Sequence, residues 1–301
     1  MKTNKPQLTI GMAMCRNLIE VKFTVQALRM MHAEVLPEIE ILICDNAPED
    51  PQGKSVRGFI SGWTHGINAR YIEADEMRGT AWPRDKVFRE AQGEWCMCID
   101  SHVMFPLGVL RRFIDWTREN SSCRDLVQGP MVLDDFGAGN AATHMKPTWG
   151  AGMRGQWATD PDLLDPDAPP KEIELHGLGL FACRTDAWPG FNHRLLGFGG
   201  EEGYIHEKFR QRGDKTICLP FLRWWHFFRD NEATPAPYCL DTVLRVRNYL
   251  ITFTELGRAW DEILTEFAGG LAQEEVAQLK AEFGDTIERR KQLDRLARPA
   301  S

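Results

Sequence analysis

Asp100 and His102 stand one residue apart where an apolar run, Glu94-Trp95-Cys96-Met97-Cys98-Ile99, comes to an end. Side chains two residues apart in an extended chain share a face, with Cα atoms roughly 7 Å apart. A carboxylate and an imidazole set there can share one divalent cation. Three further groups have matching chemistry. Gly199-Gly200-Glu201-Glu202 places paired carboxylates at a glycine-rich turn, the residue types of acid–base work. Trp224-Trp225-His226-Phe227-Phe228-Arg229 sets one imidazole and one guanidinium in an aromatic run, and Asp45 closes the apolar run Ile39-Glu40-Ile41-Leu42-Ile43-Cys44. Taken singly, each has a plain structural explanation. Asp100 and Asp45 are strand-end or turn residues, His102 a surface histidine, and His226 a satisfied core histidine. Glu201 and Glu202 are charges at a helix N-terminus. Their order along the chain is what argues for a site.

Such groups need a scaffold, and the first half of the chain alternates strands with helices. Residues 8–14, 39–44, 69–73 and 94–99 read as strands. Residues 18–32 read as a helix with Val21, Val25, Leu28 and Met31 on one stripe, and 84–91 as another; 47–62 reads as loop and a short helix. Strand–helix–strand order implies right-handed crossovers and a parallel sheet, with ligands at the carboxyl ends of the strands, where Asp45 and Asp100 stand. Residues 134–170, rich in Gly, Asp, Pro and Trp, read as long irregular loops, which inside a compact domain serve a function or are mobile. Order resumes over 177–183, the turn at 197–202, a helix over 203–212 and a strand over 216–219. From Asp241 onward the pattern is helical, with Val243, Val246, Leu250 and Phe253 on one stripe, and the run Arg289-Arg290-Lys291 reads as a solvated helix face. The expected organisation is an α/β domain over 1–238 and a helical extension over 239–301.

Composition narrows the classes. Against 36 Lys+Arg stand 43 Asp+Glu, a formal charge of -7, which argues against gripping nucleic acid by bulk electrostatics. The start, MKTNKPQLTIGMAM, shows no signal-peptide pattern. No apolar stretch approaches the roughly 18 residues of a membrane span. Eight cysteines without export signals suggest reduced thiols in the cytoplasm. Cys96-x-Cys98 falls inside the presumed strand and reads as core. Gly53-Lys54-Ser55 has Pro48 where a phosphate-binding loop needs glycine, and His206-Glu207 lacks the second histidine of a zinc protease.

Over roughly residues 7–235, the order of the surviving groups resembles the GT-A glycosyltransferases: polypeptide N-acetylgalactosaminyltransferases, β-1,4-galactosyltransferases and family 2 enzymes. The resemblance implies a Rossmann-like mixed sheet flanked by helices, with a nucleotide-binding half (1–105) and an acceptor-binding half (106–238). The D-x-D or D-x-H metal motif of these families is matched by Asp100-Ser101-His102. Their V-G-H-V-F-R stretch is similar to Trp224–Arg229, making His226 the third metal ligand. The aspartate that holds uracil falls on Asp45. Gly79-Thr80-Ala81-Trp82-Pro83-Arg84-Asp85-Lys86 looks like the G-x-x-x-A-R-N region, so Arg84 is the expected diphosphate or base contact. Gly177-Leu178-Gly179-Leu180-Phe181 looks like the G-G-L-F segment before the acceptor site, placing Gly179 there. Arg229 adds a fixed positive charge, and the following polar run resembles a closing lid.

The function so implied is metal-dependent transfer of a sugar from a nucleotide-sugar, UDP-linked, to an acceptor hydroxyl, with Mn²⁺ (or Mg²⁺) as cofactor. Retaining members resemble G-G-E-N at the acid pair and inverting members E-D. Glu201-Glu202 therefore implies inversion, with Glu202 as base beside Glu201. Trp149 and Trp157 are expected to line the acceptor site, since aromatic faces stack on sugars and bases. The acceptor reading spans a glycan, a peptide or a modified nucleobase, including hydroxymethylated bases of phage DNA, in a cytoplasm of bacterial or viral origin. Two other classes compete: a non-catalytic sugar-nucleotide or glycan-binding protein on the same scaffold, and a metal hydrolase with an Asp/His/His site.

Overall fold

The most apolar runs of the chain form the middle of a sheet. In this computed structural model, which describes residues 5–63, 66–74, 78–133, 141–227 and 240–299, the first half runs β1 (Leu8–Met14), α1 (Leu18–Met31), β2 (Ile39–Asp45), α2 (Pro51–Trp63), β3 (Ala69–Glu73), α3 (Ala81–Glu90) and β4 (Trp95–Ile99). β1 lies between β2 and β4 and is parallel to both, and β3 extends the sheet beyond β2. A short β5 (Val103–Met104) and α4 (Val109–Glu119) lead to β6 (Leu126–Gln128), β7 (Met131–Val132) and β8 (Ala141–Ala142). Then come β9 (His144–Gly150), β10 (Met153–Ala158), β11 (Lys171–Glu172), β12 (Leu180–Arg184), α5 (Glu201–Gln211), β13 (Thr216–Cys218) and β14 (Trp224–His226). Helices α6 (Thr242–Glu255), α7 (Asp261–Glu266), α8 (Gln273–Phe283) and α9 (Ile287–Leu293) complete the chain.

Among the described residues the main sheet has the order β11-β13-β6-β12-β4-β1-β2-β3. β12 runs antiparallel to β4, so the sheet is mixed and β4 sits at the junction. A smaller sheet, β5-β14-β7-β8, stands beyond the end of β4. Every residue of β2 is buried, including two acids. Glu40 is matched by the Thr9 hydroxyl (2.6 Å), the Gln92 amide (2.9 Å) and Arg70 Nε (2.6 Å). Unmatched, a carboxylate in that place would cost several kcal/mol.

Three expectations change. The helix over 84–91 begins instead at Ala81, because Pro83 fits the first turn, where its missing N–H is no loss. Residues 51–63 form one longer helix. The presumed irregular stretch contains the antiparallel hairpin β9–β10, closed through Ala151 (φ 51°) and Gly152 (φ 71°). No described helix is long and apolar enough to cross a membrane.

Candidate active site

β4 delivers Asp100 to the end of the sheet, where its amide donates to the Gly179 carbonyl of the strand alongside (2.9 Å). The chain turns through Ser101 and His102 into β5. Pairing of β5 with β14 sets His226 opposite Val103, and the Phe227 amide donates to the His102 carbonyl (3.1 Å). Two histidines 124 residues apart thereby meet, Nε2 to Nε2 at 3.0 Å, and His226 Nε2 is 3.6 Å from Asp100 Oδ2. Ligand atoms of Asp100, His102 and His226 all lie within 4.8 Å of one another. Two imidazole nitrogens this close need a proton between them, and a cation accepting both lone pairs would take its place. Burial pushes the Asp100 carboxyl up, but the Arg84 guanidinium and the His226 hydrogen bond outweigh it and hold Asp100 well below the usual carboxylate range. A standing carboxylate with two imidazoles fits a divalent cation of the Mn²⁺ type.

Arg84, buried on α3, joins this cluster to the acid pair. Its Nη2 donates to Asp100 Oδ1 at 3.0 Å, and its Nη1 lies 3.7 Å from Glu201 Oε1. Glu201 is itself 1% exposed, accepting from the Gly199 amide (2.8 Å) and the Thr80 hydroxyl. Its neighbour is different. Glu202 is half-buried, and its carboxyl is pushed up to about 8, first by burial and then by the charge of Glu201. The turn before them needs Gly199 (φ 105°) and Gly200 (φ 96°), since side chains rarely adopt such backbone.

The remaining expected residues divide. Asp45 ends β2 as foreseen but faces inward: it is fully buried, with Oδ1 taken by the Ala47 amide (2.8 Å) and Oδ2 by the Tyr71 hydroxyl (2.7 Å). Gly179 abuts the centre; any Cβ there would come within 2.8 Å of the Trp224 ring and 3.4 Å of Asp100 Oδ2. Trp149 is taken up by packing rather than open for stacking. Its ring meets Tyr249 (4.7 Å) and Phe267 (5.8 Å), and its Nε1 donates to Glu262 Oε2 (3.2 Å). Trp157 keeps an open face at 43% exposure, lying edge-on to His176 beside Gly177. Arg229 and the proposed lid lie outside the described residues.

Three site residues escaped sequence reasoning. Glu20 accepts from His102 Nδ1 (2.9 Å), Thr80 holds Glu201, and Asn248 on α6 bonds the backbone of Leu196 and Gly199. The first two lie 82 and 121 residues from their partners, so no local spacing reveals them.

Comparison with known proteins agrees with this geometry. The Glycosyl transferase family 2 model matches residues 20–142, which include the Asp100-Ser101-His102 turn. No curated protein matches the sequence. A crystal structure of GalNAc-T7 with UDP, GalNAc and Mn²⁺ superposes with a TM-score of 0.66 at 15% identity, covering 97% of this chain and 55% of that one. The chain thus spans about half the length of that relative. Residues 1–349 of S. aureus TarS give 0.53 at 12% identity, covering 95% and 77%. A mannosyltransferase, PcManGT from Pyrobaculum calidifontis with GDP-Man and Mn²⁺, gives 0.52 at 14% identity, covering 98% and 86%. Residues 20–142 are thus similar to the family 2 glycosyltransferases, and they are set in the GT-A fold that these structures share.

Proposed function

We propose that the chain moves a sugar from a UDP-linked donor to an acceptor hydroxyl with inversion at the anomeric carbon. The observation that carries this reading is the double contact of Arg84. One guanidinium reaches Asp100 of the cation cluster (3.0 Å) and Glu201 of the acid pair (3.7 Å), so donor end and acceptor end form one centre. A divalent cation held by Asp100, His102 and His226 would neutralise the diphosphate as the leaving group departs. Arg84 adds a fixed positive charge beside it. Glu202 takes the proton of the acceptor hydroxyl while that oxygen attacks the anomeric carbon. The bond from that carbon to the diphosphate oxygen breaks, and its electron pair leaves with the nucleotide. Glu201, with both oxygens engaged, positions Thr80, Arg84 and the turn rather than accepting a proton itself. Trp157 and Gly179 bound the acceptor side, where a glycan, a peptide or a modified base in the cytoplasm would present its hydroxyl.

The UDP preference draws on the Asp100-Ser101-His102 sequence and on GalNAc-T7, whose structure holds UDP; PcManGT, holding GDP-Man, makes GDP-sugars the control. Thermal shift with UDP or GDP, each with and without Mn²⁺, followed by release of free sugar from UDP-sugars, tests the reading. UDP and Mn²⁺ together should raise the melting temperature beyond either alone, and Asp100→Ala, His102→Ala and His226→Ala should each abolish Mn²⁺-stimulated hydrolysis. Hydrolytic activity that ignores nucleotides altogether would favour a metal hydrolase and end the proposal. Nucleotide binding without sugar release or transfer would favour a binding protein.

A further inference from the structure

We propose that Glu20 is the positioning residue that fixes His102 in its metal-binding state, an inference that rests on the cation cluster of the preceding reading. Glu20 stands in the first turn of α1, three residues after the N-cap Asn17. A single oxygen, Oε2, accepts from His102 Nδ1 (2.9 Å), Ser101 Oγ (3.0 Å) and Asn17 Nδ2 (2.8 Å). A carboxylate can only accept, so the hydrogen on this side of the His102 ring belongs to Nδ1. The ring is then turned with Nε2 toward His226 and Asp100.

An unrestrained imidazole divides its proton between two nitrogens and samples several ring orientations, whereas a metal ligand must offer one bare nitrogen in one place. Glu20 makes that selection before a cation arrives, and its negative charge at the far nitrogen strengthens the near one as a ligand. The restraint is a built one. Four residues along the same helix, the Thr24 hydroxyl donates to the Ser101 carbonyl (2.7 Å) and the Val103 carbonyl (3.2 Å). Side chains four apart lie on one helix face, so one stripe of α1 grips the backbone of the metal-bearing turn and the ring it carries. Asn17 also donates to Ser101 Oγ at 3.1 Å, which ties the N-cap, the acid and the turn together.

The test is Mn²⁺ binding to the full chain, with and without UDP, followed by the electron paramagnetic resonance signal of free Mn²⁺ and by nitrogen modulation from coordinated imidazole. The melting temperature of the metal-free protein is recorded alongside. Glu20→Ala removes acceptor and charge together and should weaken Mn²⁺ binding about 100-fold, with loss of one imidazole's modulation. Glu20→Gln keeps an acceptor oxygen without the charge and should fall between, at about 10-fold. Ser101→Ala withdraws one donor from Glu20 without touching His102 and should move affinity the same way by less. Unchanged affinity and modulation in Glu20→Ala would overturn the inference and leave Glu20 a fold residue only. Should that variant fail to fold, unchanged affinity in both Glu20→Gln and Ser101→Ala overturns it equally. If the unaltered chain itself binds no Mn²⁺ in the presence of UDP, the cation cluster fails first, an outcome distinct from a wild-type-like Glu20 variant.

Discussion

Glu201 and Glu202 are adjacent in sequence yet stand in opposite environments. Glu201 is saturated by Gly199, Thr80 and nearby Arg84, while Glu202 is raised to about 8 by burial and by its neighbour's charge. A base must be deprotonated to act, so transfer should climb with pH up to about 8 and level off above it. Glu202→Gln should retain UDP and Mn²⁺ binding but lose transfer by a hundredfold or more, roughly the contribution of a positioned base. Steady-state rates across pH for both proteins check this; a variant that transfers at the wild-type rate sinks the assignment. The sign for stability is the reverse. A carboxyl whose folded value is raised holds its proton more tightly folded than unfolded, so stability declines as pH rises from the ordinary carboxylate range to about 8. The glutamine variant should therefore melt higher than the wild type near pH 8. The sequence disclosed the residues to which this chemistry is assigned here, because charge at the end of an apolar run is conspicuous. It did not disclose which acid is spent on structure, since that depends on Thr80 and Arg84 arriving from another helix.

Among elements, α6 has the least obvious task. Asn248 is 2% exposed; its Oδ1 accepts from the Leu196 amide (3.1 Å), and its Nδ2 donates to the carbonyls of Leu196 (2.7 Å) and Gly199 (3.0 Å). Three bonds from one side chain thus hold the strained turn that presents Glu202. Asn248→Ala strands those buried backbone groups and should cost about 2 kcal/mol in urea unfolding, with a lowered kcat and a donor KM near that of the wild type. A loss of stability with kcat intact would confine Asn248 to folding. Legibility followed burial. β1, β2 and β4 are covered on both faces, so their runs are apolar apart from Thr9, Glu40 and the strand-end Asp45, and their positions could be read directly. The hairpin β9–β10 is partly exposed along its length, and Pro147 in its first strand and the register shift between Arg154 and Gln156 in its second mask the strand pattern, which is why its sequence reads as loop. Its turn also uses Ala151 at positive φ rather than the asparagine–glycine pair that marks such turns.

At the scale of the molecule, the C-terminal helices belong to the core. One buried cluster runs from Phe88, Cys96 and Phe181 beside the sheet to Val246, Phe253, Ile263, Leu279 and Leu293 in α6 to α9. Trp149 of the hairpin packs on the same cluster. Helical periodicity made these helices visible in the sequence, but not which surface they cover, because an apolar stripe does not name its partner. A chain ending at residue 239 would open that cluster to water and should lose cooperative unfolding along with any transfer. Calorimetry of the truncated chain decides; a sharp transition at the full-length temperature would mean that the sheet stands alone. Arg84 carries a different lesson, for anyone who would re-engineer the protein. Because one guanidinium touches both Asp100 and Glu201, the proposed function implies that a library remodelling α3 to admit a bulkier donor would also disturb the acid-bearing turn, so that gains in tolerance would arrive with losses in turnover. If the proposed acceptor side is right, substitutions at the exposed Trp157 would leave Arg84 and that turn untouched, making the hairpin the more forgiving place to retune the acceptor.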